Sequence, residues 1–162
     1  MTAYFRDALS RANELFEPAR ILFLEKEHRY GEPKNPEIRS RAERDALAVL
    51  APLDGRVHVF LVKRLGDLER SDVDIAGRDW RYQGRRRELA GRRYIIIAPT
   101  SARLDTMAHE LGHFFGLCHS ARFDNLMKQI PRDEKATLDK QQLAAIRRGL
   151  LKFFSSQLEI RK

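Results

Sequence analysis

The chain has 162 residues, 43% of them hydrophobic, with 31 Lys and Arg against 23 Asp and Glu, for a net charge of +8. That length and apolar content suit one domain spanning residues 1–162 around a core of ordinary size. A single cysteine leaves no intramolecular disulfide to form, which excludes the small disulfide-stapled secreted scaffolds as models.

The first thirty residues are broken up by charges and hold no apolar run long enough for a signal-peptide core, and no stretch is long enough to span a membrane. The chain as given is therefore expected in the cytoplasm. Export without a cleavable signal, or prior removal of a leader, would leave the same sequence.

Phe5, Leu9, Ala12, Leu15 and Phe16 recur at spacings of three and four, which predicts a helix over residues 3–17 with one buried face, stopped by Pro18. Ile21-Leu22-Phe23-Leu24 reads as a short buried strand, after which Gly31, Pro33 and Pro36 break regular structure. From 36 to 50, the apolar positions Ile38, Ala42, Ala46, Leu47, Val49 and Leu50 suit a second helix. Asp54-Gly55 marks a turn before a strand at 57–62, rich in β-branched and aromatic residues. Another strand reads clearly at 93–98. Between the two lies a polar, glycine-punctuated region in which 73–77 is an edge-strand candidate. Thr100 and Ser101 offer hydroxyls to cap the next helix. A last helix begins near Thr137, with Leu143, Ile146, Leu150 and Phe153 on one stripe.

Arg78, Arg81, Arg85, Arg86, Arg87, Arg92 and Arg93 fall within sixteen residues around Trp80 and Tyr82. Such a cluster suits an acidic polypeptide, a nucleic acid or an anionic membrane, and equally a solvated arginine-rich hairpin. The pattern shows no nucleic-acid recognition fold, which argues against nucleic acid as the partner. Asp67, Asp72, Asp74 and Asp79 lack the dense alternation of oxygen ligands that a calcium loop needs and read as solvated loop carboxylates.

Residues 109–119 run His-Glu-Leu-Gly-His-Phe-Phe-Gly-Leu-Cys-His. On a helix His109 and His113 share one face, and Glu110, one step round, reaches toward the remaining coordination position of a metal they hold. Gly116 can adopt the left-handed conformation that closes a helix, turning the chain so that His119 returns to the same ion. Three protein ligands leave a fourth position open, the mark of a catalytic rather than a structural zinc. Cys118, adjacent to His119, points the other way in an extended segment and is expected to be a buried, inert thiol. A bare HExxH also arises on an ordinary amphipathic helix; the added Gly116 and His119 favour the zinc site.

With these residues in place the chain resembles the metzincin zinc peptidases, whose signature is HExxHxxGxxH followed by a methionine turn. Asn125-Leu126-Met127, eight residues past His119 and preceded by Ser120, has a spacing most similar to the matrixin branch. The resemblance implies Zn2+ as cofactor, His109, His113 and His119 as its ligands, Glu110 as general base and Met127 as the floor beneath the metal. Taken alone, Met127 suits an ordinary core position equally well. Gln129 stands where some branches carry a tyrosine ligand, so no such ligand is expected.

The same resemblance implies an α+β fold: a twisted mixed sheet with two long helices above a cleft, and a small C-terminal helical subdomain below, divided near residues 116 and 117. Family members commonly begin with a strand before the first long helix, so either the sheet here is one strand smaller or the chain was cut from a longer polypeptide. The implied activity is that of an endopeptidase acting on an extended peptide or protein. Ile75, Ala76 and Gly77 are the candidates for edge-strand pairing with the substrate, and Ile130 and Pro131 for the wall of the pocket beyond the scissile bond. The arginine cluster suits an acidic partner or inhibitor protein and, at the rim of a cleft, a role in substrate choice. Two other readings stay open: a zinc-stabilised module that holds a protein segment without cutting it, against which Glu110 speaks, and a basic polyanion-binding protein in which the zinc site is incidental.

Overall fold

The computed structural model describes residues 3–29, 37–70, 72–129, 133 and 135–159. Helix α1 (Ala3–Phe16) forms where the apolar spacing predicts it, burying Ala8, Ala12, Leu15 and Phe16, and Pro18 follows within a single 3-10 turn. The strand expected at 21–24 does not form. Leu22 and Leu24 are 68% and 78% exposed, while Phe23 packs inward. The side chain of Asn13 replaces the missing ladder: its Oδ1 accepts from Phe23 N at 2.8 Å and its Nδ2 donates to Phe23 O at 3.1 Å. With its backbone groups satisfied by a side chain, this segment needs no strand partner.

The breaker residues Gly31, Pro33 and Pro36 lie outside the described residues. The helix expected over 36–50 is divided into strand β1 (Glu37–Ile38), helix α2 (Arg41–Ala46) and a 3-10 turn over Leu47–Leu50. Ser40 sets the division. Its side chain accepts from Glu43 N while the Glu43 carboxylate takes the Ser40 and Arg39 amides, a reciprocal cap that starts the helix there.

Among the described residues, five strands make two sheets. Strands β2 (His58–Leu61), β4 (Gly77–Arg81) and β5 (Arg93–Ile97) form a mixed sheet in the order β2-β5-β4, parallel between β2 and β5 and antiparallel between β4 and β5. β3 (Arg64–Leu65) pairs in parallel with β1. β5 is buried on both faces, with Ile95 and Ile97 in one apolar cluster and Tyr94 and Ile96 in the other. Each fully buried isoleucine of this kind contributes about 1.5–3 kcal/mol. The edge strand lies later than the 73–77 expected, because Ile75 N is bonded to Leu65 O and the ladder with β5 begins only at Gly77.

Two helices follow, α3 (Thr106–Phe114) and α4 (Lys140–Glu159). Thr100 and Ser101 do not cap α3: residues 99–105 turn first, the Thr100 hydroxyl goes to Lys63 O, and Asp105 is the N-cap. α1, α3, Met127 and the Ile146 stripe of α4 share the cluster on the Ile95 face, and Ala48 of the 3-10 turn after α2 joins Trp80 in the other. No described helix is long and apolar enough to cross a membrane. The architecture is a mixed α+β one.

Candidate metal centre

Helix α3 is buried along nearly its whole length, His109 and Glu110 included. It ends as its sequence requires. Gly116 takes φ +97°, its amide bonds His113 O at 2.8 Å, and Leu117 N bonds Gly112 O at 2.9 Å, the paired closure that only a residue tolerant of positive φ permits.

That closure sets the third histidine beside the other two. His113 Nε2 lies 3.2 Å from His109 Nε2 and 3.0 Å from His119 Nε2, and the ligand atoms of all three lie within 4.8 Å of one another. His109 Nδ1 lies 2.8 Å from Leu126 O, and His113 Nδ1 2.8 Å from Leu117 O. A carbonyl oxygen only accepts, so each Nδ1 carries the proton, and in the neutral rings each Nε2 presents a lone pair. Burial pushes His113 and His119 below the ordinary imidazole value, which favours the neutral form. The facing Nε2 lone pairs of His109 and His113, 3.2 Å apart, repel unless a cation or a donor sits among them. The three residues therefore fit a metal ion, and two backbone carbonyls fix the ring orientations.

Glu110 stands outside this set. Its Oε2 accepts from Asp79 N at 2.7 Å, on the outer side of β4. Tyr82 N and Ala76 O bond to the β5 side, so the amides of Gly77, Asp79 and Arg81 alternate outward. Gly77 makes this approach possible: a Cβ there would lie 2.9 Å from Thr106 Cγ2 and 3.0 Å from Glu110 Cγ. Asp79 is not a solvated loop carboxylate, since it is on β4 and ion-paired with Arg93. The arginine cluster accordingly divides, with Arg93 and Arg92 tied to internal carbonyls and Arg85, Arg86 and Arg87 exposed.

Met127 is fully buried against α3. Gly112 leaves the space, because a Cβ at that position would stand 2.5 Å from the Met127 sulfur. Asn125, itself buried, accepts from Met127 N at 2.9 Å and exchanges bonds with Gln142 of α4, and this turn carries the Leu126 carbonyl to His109.

Of the residues proposed for substrate, Gly77 touches the site, whereas Ile75 N and Ala76 O bond within the protein, and Ile130 and Pro131 lie outside the described residues. Cys118 is exposed, not buried. The chain after Gly116 runs along the surface, and Leu117 turns inward in its place. Nothing in the sequence marked the Asp79–Arg93 pair or the Leu117 and Leu126 carbonyls as supports of the site, because backbone groups and long-range pairs leave no local motif. Comparison with protein-family models, curated proteins and solved structures finds no match to this chain.

Proposed function

We propose that the chain is a zinc-dependent endopeptidase of metzincin type, in which His109, His113 and His119 hold the metal, Glu110 is the general base and Met127 lies beneath the site. The observation that carries this reading is the meeting of three imidazole Nε2 atoms, two of them with Nδ1 fixed on a carbonyl, beside a carboxylate that is not itself a ligand. The Nε2 separations of 3.0 and 3.2 Å would let these histidines hold one zinc ion through neutral nitrogen ligands. The mixed sheet beside α1 and α3, with α4 following the methionine turn, supports the metzincin-like fold.

Bound there, zinc supplies a Lewis acid that acidifies water and polarises a carbonyl. Glu110 takes a proton from the water that adds to the peptide carbon, and returns it to the amine nitrogen as the C–N bond breaks. The products are a carboxylic acid and an amine, without a covalent enzyme intermediate. The Asp79 amide orients the Glu110 carboxylate for this exchange. With the Asp79 amide taken by Glu110, the outward amides of Gly77 and Arg81 suit an extended peptide laid along that edge, with Gly77 next to the base and Ile130 and Pro131 proposed for the pocket beyond.

Metal analysis of protein purified without added metal, combined with a peptide-library digest read by mass spectrometry, tests the reading. One zinc per chain, lost in His109→Ala, and cleavage stopped by a chelator are expected. Zinc without cleavage would leave the non-catalytic binding module as the better account.

A further inference from the structure

At the end of the sheet where β4 finishes and β5 begins, the C-terminus of α3 and the side of α4 enclose a groove of about 520 Å³. Its charged lining is entirely cationic: Arg56, Arg81, Arg93, Arg148 and Lys152, with no carboxylate among the lining residues. Two of these charges are answered nearby, Arg93 by Asp79 and Arg56 by Glu27 and Asp54. Arg81, Arg148 and Lys152 are exposed and, among the described residues, enter no ion pair. The floor between them is apolar. Phe153 lies half-buried there, with Phe114 and Phe115 beneath it, and Gly149 lets α4 press directly against the Phe115 backbone.

Cations gathered over an apolar floor repel one another and gain most from a ligand that brings negative charge and apolar surface together. We propose that this groove binds an acidic segment of a partner polypeptide, with carboxylates on Arg81, Arg148 and Lys152 and an apolar side chain on the Phe153 floor. A second copy of this chain is a poor occupant, since each carries +8. A nucleic acid would look for a row of ring faces on which to stack successive bases, and with Phe114 and Phe115 only 4% and 3% exposed the groove lining offers a single partly open ring, Phe153. The groove shares no residue with the three histidines, and Arg93 and the last turn of α3 stand between them, so occupancy does not require metal. The inference is independent of the peptidase reading and can fail separately from it.

Fluorescence anisotropy with the full chain and a short labelled peptide of alternating Glu and Phe is the test. R148E/K152E is expected to weaken binding by about tenfold or more, and raising salt to weaken it further. The equal charge change R6E/K63E, at exposed positions outside the groove, is expected to leave binding within about twofold. Equal losses in the two double variants would reduce the effect to bulk attraction and overturn the proposal. Loss of peptide binding on chelation would overturn it in favour of the metal centre. Tighter binding of a single-stranded oligothymidylate, weakened in the same groove variant, would overturn it in favour of nucleic acid.

Discussion

Arg93 grips both carboxylate oxygens of Asp79 and, with its remaining donors, holds the carbonyls of Phe114 at 2.7 Å and His113 at 2.8 Å. One guanidinium thus joins β4, β5 and the C-terminal end of α3, where a cation also suits the helix dipole. It stacks on Phe114 as well, at 4.9 Å. The residue that locates the backbone of His113 is accordingly an arginine from a neighbouring strand.

Arg93→Ala should destabilise the metal-free protein by about 2–4 kcal/mol, because Asp79, whose side chain is 14% exposed, loses its counter-ion and two carbonyls lose their donor. Arg93→Lys should recover only part of this, since an ammonium cannot reproduce the planar two-oxygen grip. Urea unfolding measures both. A change within about 0.5 kcal/mol in Arg93→Ala would show the contact to be incidental.

Glu110→Gln should keep the fold and the metal, because the amide oxygen can still accept from Asp79 N while the histidine set is untouched. Peptide cleavage should fall by about 10²–10⁴. Metal content and initial rates on the same preparation separate the two effects, and a variant with near-normal rates would remove Glu110 from the role of base.

Gly149 sets helix propensity against packing. In an exposed helix, Gly→Ala is favourable by about 1 kcal/mol. Here the new methyl would meet the Phe115 carbonyl, whose carbon lies 2.8 Å from the Cβ position, so α4 must shift away from α3. Overpacking against backbone costs about 1–3 kcal/mol and outweighs the propensity gain. Thermal unfolding of Gly149→Ala should therefore show a lowered midpoint; a raised one would mean that α4 moves away freely.

Glu43 gives acid sensitivity to the start of α2. The Arg39 and Ser40 amides, with help from the Ser40 hydroxyl, hold its carboxyl below the ordinary value of 4.5. The folded state binds this proton more weakly than the unfolded chain, so the stabilisation is complete above about 4.5 and is lost as the pH falls through the lower folded value. Glu43→Gln should flatten the fall in stability with acid over that window, and Ser40→Ala should cost about 1 kcal/mol at neutral pH. Denaturant midpoints measured across the acid range check the first; an unchanged slope would place the acid response elsewhere.

The elements fixed by local spacing were legible in the sequence. The apolar stripe of α1 needs only its own 3.6-residue period, β5 is β-branched and apolar on both faces, and Gly116 closes α3 because the left-handed turn demands a residue without Cβ strain. The histidine spacing belongs with these, because His109 and His113 lie on one helix and the glycine turn brings His119 back.

What the sequence misplaced was decided by partners distant along the chain. The strand expected at 21–24 is replaced by a bond pair to Asn13, the edge strand begins only where β5 offers register at Gly77, and Cys118 faces solvent because Leu117 takes the inward position. The site divides in the same way. The three imidazole nitrogens that could hold a metal are a local pattern, whereas the Leu126 carbonyl on His109, the Asp79 amide on Glu110 and the Arg93 grip on Asp79 are satisfactions of buried polar groups by whatever the fold brings near. Such groups must be paired once buried, and tertiary structure alone determines with what.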